Sequence, residues 1–174
     1  MILVITGNGK GKTTSAIGIA IRGIGWRKKT GMVFFDKAGS HYGEQHIFNL
    51  LQERISVLRL GQHRFDEKKR TFRFTITDKD KKEVKRGITE VLKLYKQKYF
   101  LIVCDELITC LSLGMTDAKS VQNLIRKCPK NIHLVMTGRN APKWLIEKAD
   151  LVSDIKEVKH YYKKGVRAIK GIDY

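Results

Sequence analysis

The sequence predicts an α/β domain with a mostly parallel central sheet flanked by helices, and three observations carry that prediction. Short runs of four to six mainly apolar residues recur along the chain, as strands buried on both faces require. Segments with apolar residues at helical spacing alternate with those runs. Glycine-rich and polar loops follow several of the apolar runs, at the strand ends where such sheets place their ligands.

Residues 2–5 (ILVI) read as the first strand, and a glycine-rich turn follows over 7–11. Residues 12–24 then read as a helix, with Ile17, Ala20, Ile21 and Ile24 on one face and Gly25 placed to stop it. Residues 32–35 form a second strand, 44–52 a helix and 55–60 a third strand. The stretch 61–82 is basic and irregular. Over 82–96, Val84, Ile88, Val91, Leu92 and Tyr95 share one helical face. Residues 99–104 (YFLIVC) are the clearest buried strand. Asp117 suits the cap of a helix reaching about 128. A strand at 132–137, a short helix opened by Pro142 and a strand at 151–155 complete the domain before a basic tail.

The 174 residues are expected to form one domain, 1–174. No apolar run approaches the roughly 18 to 20 residues of a membrane span, and no secretory leader precedes the first strand, so a cytoplasmic protein is expected. Cys104, Cys110 and Cys128 are odd in number and lack CxxC spacing, so they read as reduced thiols. Lys and Arg number 35 against 17 Asp and Glu, a formal net charge of +18. Such a field attracts polyanions. Because the lysines are spread along the chain, a merely solvated surface is the competing reading.

The segment Thr6-Gly7-Asn8-Gly9-Lys10-Gly11-Lys12-Thr13-Thr14 lies between a strand and a helix, the setting a phosphate loop requires. Its glycines let the backbone turn its N–H groups toward phosphate oxygens, and the helix N-terminus adds partial positive charge. Lys12 supplies a mobile cation to ATP, and Thr13 offers a hydroxyl to Mg²⁺. The usual GxxxxGK[ST] spacing fails here, because Thr6 stands where its first glycine would be. The match is to a shorter GxxxGKT loop led by Gly7, so the triphosphate is expected to sit differently. Asp105 and Glu106 end the buried strand at 99–104. Two acids plus phosphate oxygens suit Mg²⁺, which prefers few carboxylates.

At this point the sequence resembles the corrinoid adenosyltransferases over nearly its whole length. The shortened loop at 6–14, Phe35 to Lys37 with Gly43-Glu44, Asp105-Glu106-Leu107, Thr137-Gly138-Arg139 with Pro142, and the end of the chain carry the resemblance. That end comprises Val158-Lys159-His160, Gly165-Val166, Ala168 and Gly171-Ile172-Asp173-Tyr174. The resemblance implies a P-loop NTPase fold of RecA-like type and a homodimer. It implies transfer of the 5′-deoxyadenosyl group of ATP to Co(I) of a reduced corrinoid, with release of tripolyphosphate. ATP would then be seated in a reversed sense, exposing C5′ of the ribose. Lys12 and Glu106 are the expected catalytic residues, and Thr13, Asp105 and Glu106 the expected metal ligands. Gly7, Asn8, Gly9, Lys10, Gly11, Lys12, Thr13 and Thr14 would hold the nucleotide. Phe74, Ile76, Arg139 and His160 are the further binding candidates.

Two departures from the family pattern stand out. Its members often carry an N-terminal extension over the site, whereas this sequence opens in the first strand. The family's Phe-Thr-Trp stretch, an apolar wedge against the corrin's lower face, reads here Phe74-Thr75-Ile76. Phe72, Phe74 and Ile76 also fit a plain alternating strand face. Arg139 suits a phosphate, a corrin side chain or an exposed loop. Lys159 and His160 suit the nucleotide or a neighbouring subunit. The competing function is a P-loop ATPase or switch acting on nucleic acid, favoured by the charge and by the basic and aromatic run 68–74. A reduced flavin or acidic flavoprotein is the expected electron source.

Overall fold

The structure, a computed structural model, describes residues 1–39, 42–62, 65–66, 71–72 and 75–174. Its strands are β1 (Ile2–Thr6), β2 (Thr30–Phe34), β3 (Ile55–Arg59), the short β4 (Phe65–Asp66) and β5 (Thr71–Phe72), β6 (Leu101–Asp105), β7 (His133–Thr137) and β8 (Leu151–Asp154). Its helices are α1 (Lys12–Gly25), α2 (Glu44–Leu50), α3 (Asp78–Leu94), α4 (Leu107–Ser112), α5 (Ala118–Arg126) and α6 (Lys143–Lys148). Six strands form one sheet in the order β3-β2-β6-β7-β1-β8. Every neighbouring pair in it is parallel, which sharpens the expected "mostly parallel". β4 and β5 pair antiparallel beside it.

Alternation along the strands builds a core on each side of the sheet, because successive side chains point to opposite faces. Met32, Phe34, Leu101 and Val103 pack with Ala16, Ala20 and Ile24 of α1 and Phe48 of α2. The intervening Val33, Ile102 and Cys104 pack with Val84, Ile88 and Val91 of α3, with α4 and with α5. The two cores hold the middle of the sheet rigid and leave its strand ends free to carry the site. Among the described residues no helix is long and apolar enough to cross a membrane.

The structure departs from the sequence-based expectations in three places. α3 begins at Asp78 rather than near 82. Thr77 caps it, with its hydroxyl accepting from Asp80 N–H at 3.4 Å while the Asp80 carboxylate accepts from Thr77 N–H at 2.8 Å. An aspartate fills the place that glutamate or glutamine holds in the usual capping box. α4 was not expected. Its six residues are too few to show a periodicity, yet it buries Leu107, Ile108 and Cys110. β8, read as part of the buried sheet, exposes all four of its side chains, because it is an edge strand beside β1.

Candidate functional site

β1, β6 and β7 end side by side, and the glycine-rich loop leaves the first of them. Gly7 and Gly11 take φ of 101° and 116°, in the left-handed region that favours glycine. A Cβ on Gly7 would also collide with the Ile155 carbonyl just beyond β8. That carbonyl accepts the Gly9 N–H at 2.8 Å, and the Asn8 Oδ1 accepts the Glu157 N–H at 3.1 Å. The loop is thus laced to the chain leaving the edge strand. Lys12 opens α1 with its side chain folded back, donating from Nζ to the Gly9 carbonyl at 2.7 Å. Burial pushes its ammonium below the ordinary lysine value, and the nearby Arg139 adds to the effect.

Asp105, wholly buried, ends β6 beneath the loop. Its Oδ1 accepts from the Thr137 hydroxyl at 2.7 Å and its Oδ2 from the Thr13 hydroxyl at 3.2 Å. Lys37, just past β2, adds an ion pair to Oδ2 at 2.8 Å and donates to the Thr13 oxygen at 2.9 Å. The Thr137 hydroxyl also accepts the Glu106 N–H at 2.9 Å. These contacts satisfy a carboxylate that would be costly to bury alone.

Glu106 adopts φ 62°. That left-handed residue ends the strand and starts α4, so that Asp105 stays inside while Glu106 faces the cavity described next. Gly138, at φ 144°, lets the end of β7 pass against α4, where any Cβ would strike the Thr109 backbone. The Thr109 hydroxyl in turn accepts the Arg139 N–H at 2.9 Å. The helix the sequence did not disclose is therefore the buttress that aims Arg139.

A cavity of about 840 Å³ opens above this floor. Loop residues 8–14, Lys37, Glu106 and Arg139 line one side, and His160, Tyr162 and residues 171–174 of the tail line another. The tail is tied to the loop through Asp173. Its carboxylate accepts from Lys10 Nζ at 2.6 Å, from the Tyr161 hydroxyl at 2.5 Å and from the Ile169 N–H at 2.7 Å. The Ile169 amide, Lys10 and Tyr161 together hold that carboxyl well below the usual aspartate range.

The model of the family ATP:corrinoid adenosyltransferase BtuR/CobO/CobP matches residues 1–174. The chain belongs to that family. It is 34% identical to a corrinoid adenosyltransferase of Pseudomonas aeruginosa, over 100% of this chain and 83% of the relative. It is 30% identical to corrinoid adenosyltransferases of Escherichia coli K12 and of Salmonella typhimurium, the latter named CobA. Each of those alignments covers 100% of this chain and 85% of the relative.

For an adenosyltransferase family member, most of the expected site residues converge. Asn8, Gly9, Lys10, Gly11, Lys12, Thr13 and Thr14 meet Glu106, Arg139 and His160 around one cavity. Gly7 lies at the loop's base, and Asp105 lies under its floor, bonded to Thr13. Ile76 packs against the core and does not line this cavity. Phe74 lies outside the described residues, as does the run 68–74 apart from the backbone of 71–72. Reasoning from the sequence assigned no role to Lys37, Thr137 or Asp173, although all three sit inside the motifs that carry the resemblance. Tyr42 and Glu157, also at the cavity, had no such signal.

Proposed function

We infer that this chain transfers the 5′-deoxyadenosyl group of ATP to Co(I) of a corrinoid and releases tripolyphosphate. The observation that carries the reading is the shortened loop, with Lys12 and Arg139 at one cavity, in a chain that matches the adenosyltransferase family from end to end. In the reaction the Co(I) electron pair forms a bond to C5′. The C5′–O bond breaks, and its electron pair departs with the triphosphate. The protein's task is to orient C5′ and to stabilise the charge that grows on the leaving oxygen. Lys12, the loop N–H groups and Arg139 supply that stabilisation, with ATP seated so that C5′ faces the cobalt. The family match and the relatives lend the nucleic-acid reading no support.

The donor set suits Mg²⁺. Asp105 accepts from the Thr13 hydroxyl, Glu106 lines the same cavity as Thr13, and the Lys37 ammonium already bridges Thr13 and Asp105, so a cation is held there. Among the described residues no group of three or more His, Cys, Asp or Glu that could hold a metal converges; phosphate oxygens would complete the shell of the ion proposed here. Thr13, Asp105 and Glu106 would hold the ion, which when bound neutralises phosphate charge. The same reading includes a homodimer, a cytoplasmic setting in which the three free thiols stay reduced, and a corrin-facing role for Phe74 and Ile76 drawn from the resemblance. It also includes a reduced flavin or acidic flavoprotein as electron donor, supported by the +18 charge.

The test is anaerobic. Co(I) corrinoid with MgATP should give a light-sensitive Co–C product and one tripolyphosphate per product. Conversion of ATP to ADP or AMP instead would refute the reading. Lys12→Ala should lower kcat/KM at least about a hundredfold while its melting temperature stays near that of the parent.

A further inference from the structure

The Lys37 ammonium bridges two of the groups assigned above to the metal, Thr13 and Asp105. It lies 2.9 Å from the Thr13 hydroxyl and 2.8 Å from Asp105 Oδ2, with the rings of Phe34 and Tyr42 at 5.4 and 5.6 Å. Its backbone is fixed as well, because the Lys37 N–H donates to the Leu60 carbonyl at 3.0 Å. The charged groups around this point are Asp105, Glu106 and Glu44 on one side of the balance and Lys12, Lys37, Arg59 and Arg139 on the other. With Lys37 in place the cluster has more positive than negative groups. A bare divalent cation would enter an environment already cationic, next to an ammonium it must displace. A metal carried by a triphosphate arrives with net negative charge and gives the displaced ammonium a new partner.

We propose that Lys37 is an internal counter-cation that makes metal entry conditional on the triphosphate. The free enzyme refuses the metal alone. Metal and nucleotide enter together, and the ammonium moves from Asp105 to the phosphates. This proposal rests on the assignment of Thr13 and Asp105 as metal ligands. It adds an order of binding and a residue that enforces it.

Mn²⁺ is the probe, used with the full chain. Binding is followed by electron paramagnetic resonance and by water-proton relaxation, which separates MnATP in solution from the ternary complex. The parent chain should take up Mn²⁺ with ATP and bind Mn²⁺ alone only weakly. Lys37→Gln keeps a hydrogen-bond donor and removes the charge, and Lys37→Met removes both. Each should bind Mn²⁺ alone at least about tenfold more tightly than the parent, and Mn²⁺ alone should raise its melting temperature. Both should bind metal-free ATP more weakly, whereas Lys37→Arg should keep the parental order. Equal affinity for Mn²⁺ alone in the parent and in Lys37→Gln would overturn the proposal. So would a parent that binds Mn²⁺ as tightly without ATP as with it, a comparison that holds even if the variants do not fold. A parent that takes up no Mn²⁺ even with ATP would instead refute the metal site itself.

Discussion

Two lysine–aspartate pairs flank the phosphate loop, and they differ in what surrounds them. Lys37–Asp105 closes at 2.8 Å with side chains 15% and 0% exposed, whereas Lys10–Asp173 closes at 2.6 Å with side chains 36% and 16% exposed. Similar lengths do not mean similar work. The inner pair joins two strand ends inside the sheet and sets the charge at the floor of the cavity. The outer pair joins the loop to a tail with few buried side chains and acts as a latch. Burial makes a broken pair costly, and solvent makes it forgiving.

The largest difference should appear on removing one charge from each pair in turn. Asp105→Asn leaves the Lys37 ammonium without its counter-charge and should cost about 3 kcal/mol of stability. Chemical denaturation would read this as a lower midpoint at unchanged slope, together with loss of adenosyl transfer. A loss no larger than that of Asp173→Asn would erase the distinction between the pairs.

Gly138→Ala sharpens the inner half of the comparison without touching a charge. It forces a Cβ into the Thr109 backbone at a φ that disfavours it and should cost about 2 kcal/mol. It should also shift Thr137 away from Asp105. A variant as stable as the parent would mean that α4 gives way easily and is no buttress.

The smallest effect belongs to the latch. Asp173→Asn should leave the melting temperature nearly unchanged and raise the KM for ATP several-fold, about the loss of one exposed ionic contact. Asp173 is held below the usual aspartate range, so its contribution is present above the ordinary value of about 3.9 and is lost only as the pH falls through the lower folded value. ATP affinity carried by the latch should therefore be flat from about pH 5 to 8. A step within that window in the affinity difference between the parent and Asp173→Asn, measured by calorimetry, would contradict the carboxylate's role.

The same contrast explains what could be read from the amino acids. The loop was legible because its chemistry is contiguous: glycines, Lys12 and Thr13 follow one another between a strand and a helix. The double-sided sheet was legible from short apolar runs. The inner pair was not, because Lys37 and Asp105 meet only once β2 and β6 lie side by side. The outer pair spans 163 positions, beyond any local pattern. α4 was hidden by its length, and the start of α3 by the lysines around its Thr77–Asp80 capping box. Asp105 and Glu106 were foreseen together, but their division into a buried and a cavity-facing group depends on one backbone angle at Glu106.

β8 buries none of its own side chains, yet its outgoing backbone receives the Gly9 amide and abuts Gly7. An outermost strand with so little stake in the core has become the retaining wall of the proposed nucleotide cradle. Damage along that rim will therefore show first as slack in the hold on phosphate, while the body of the protein melts as before.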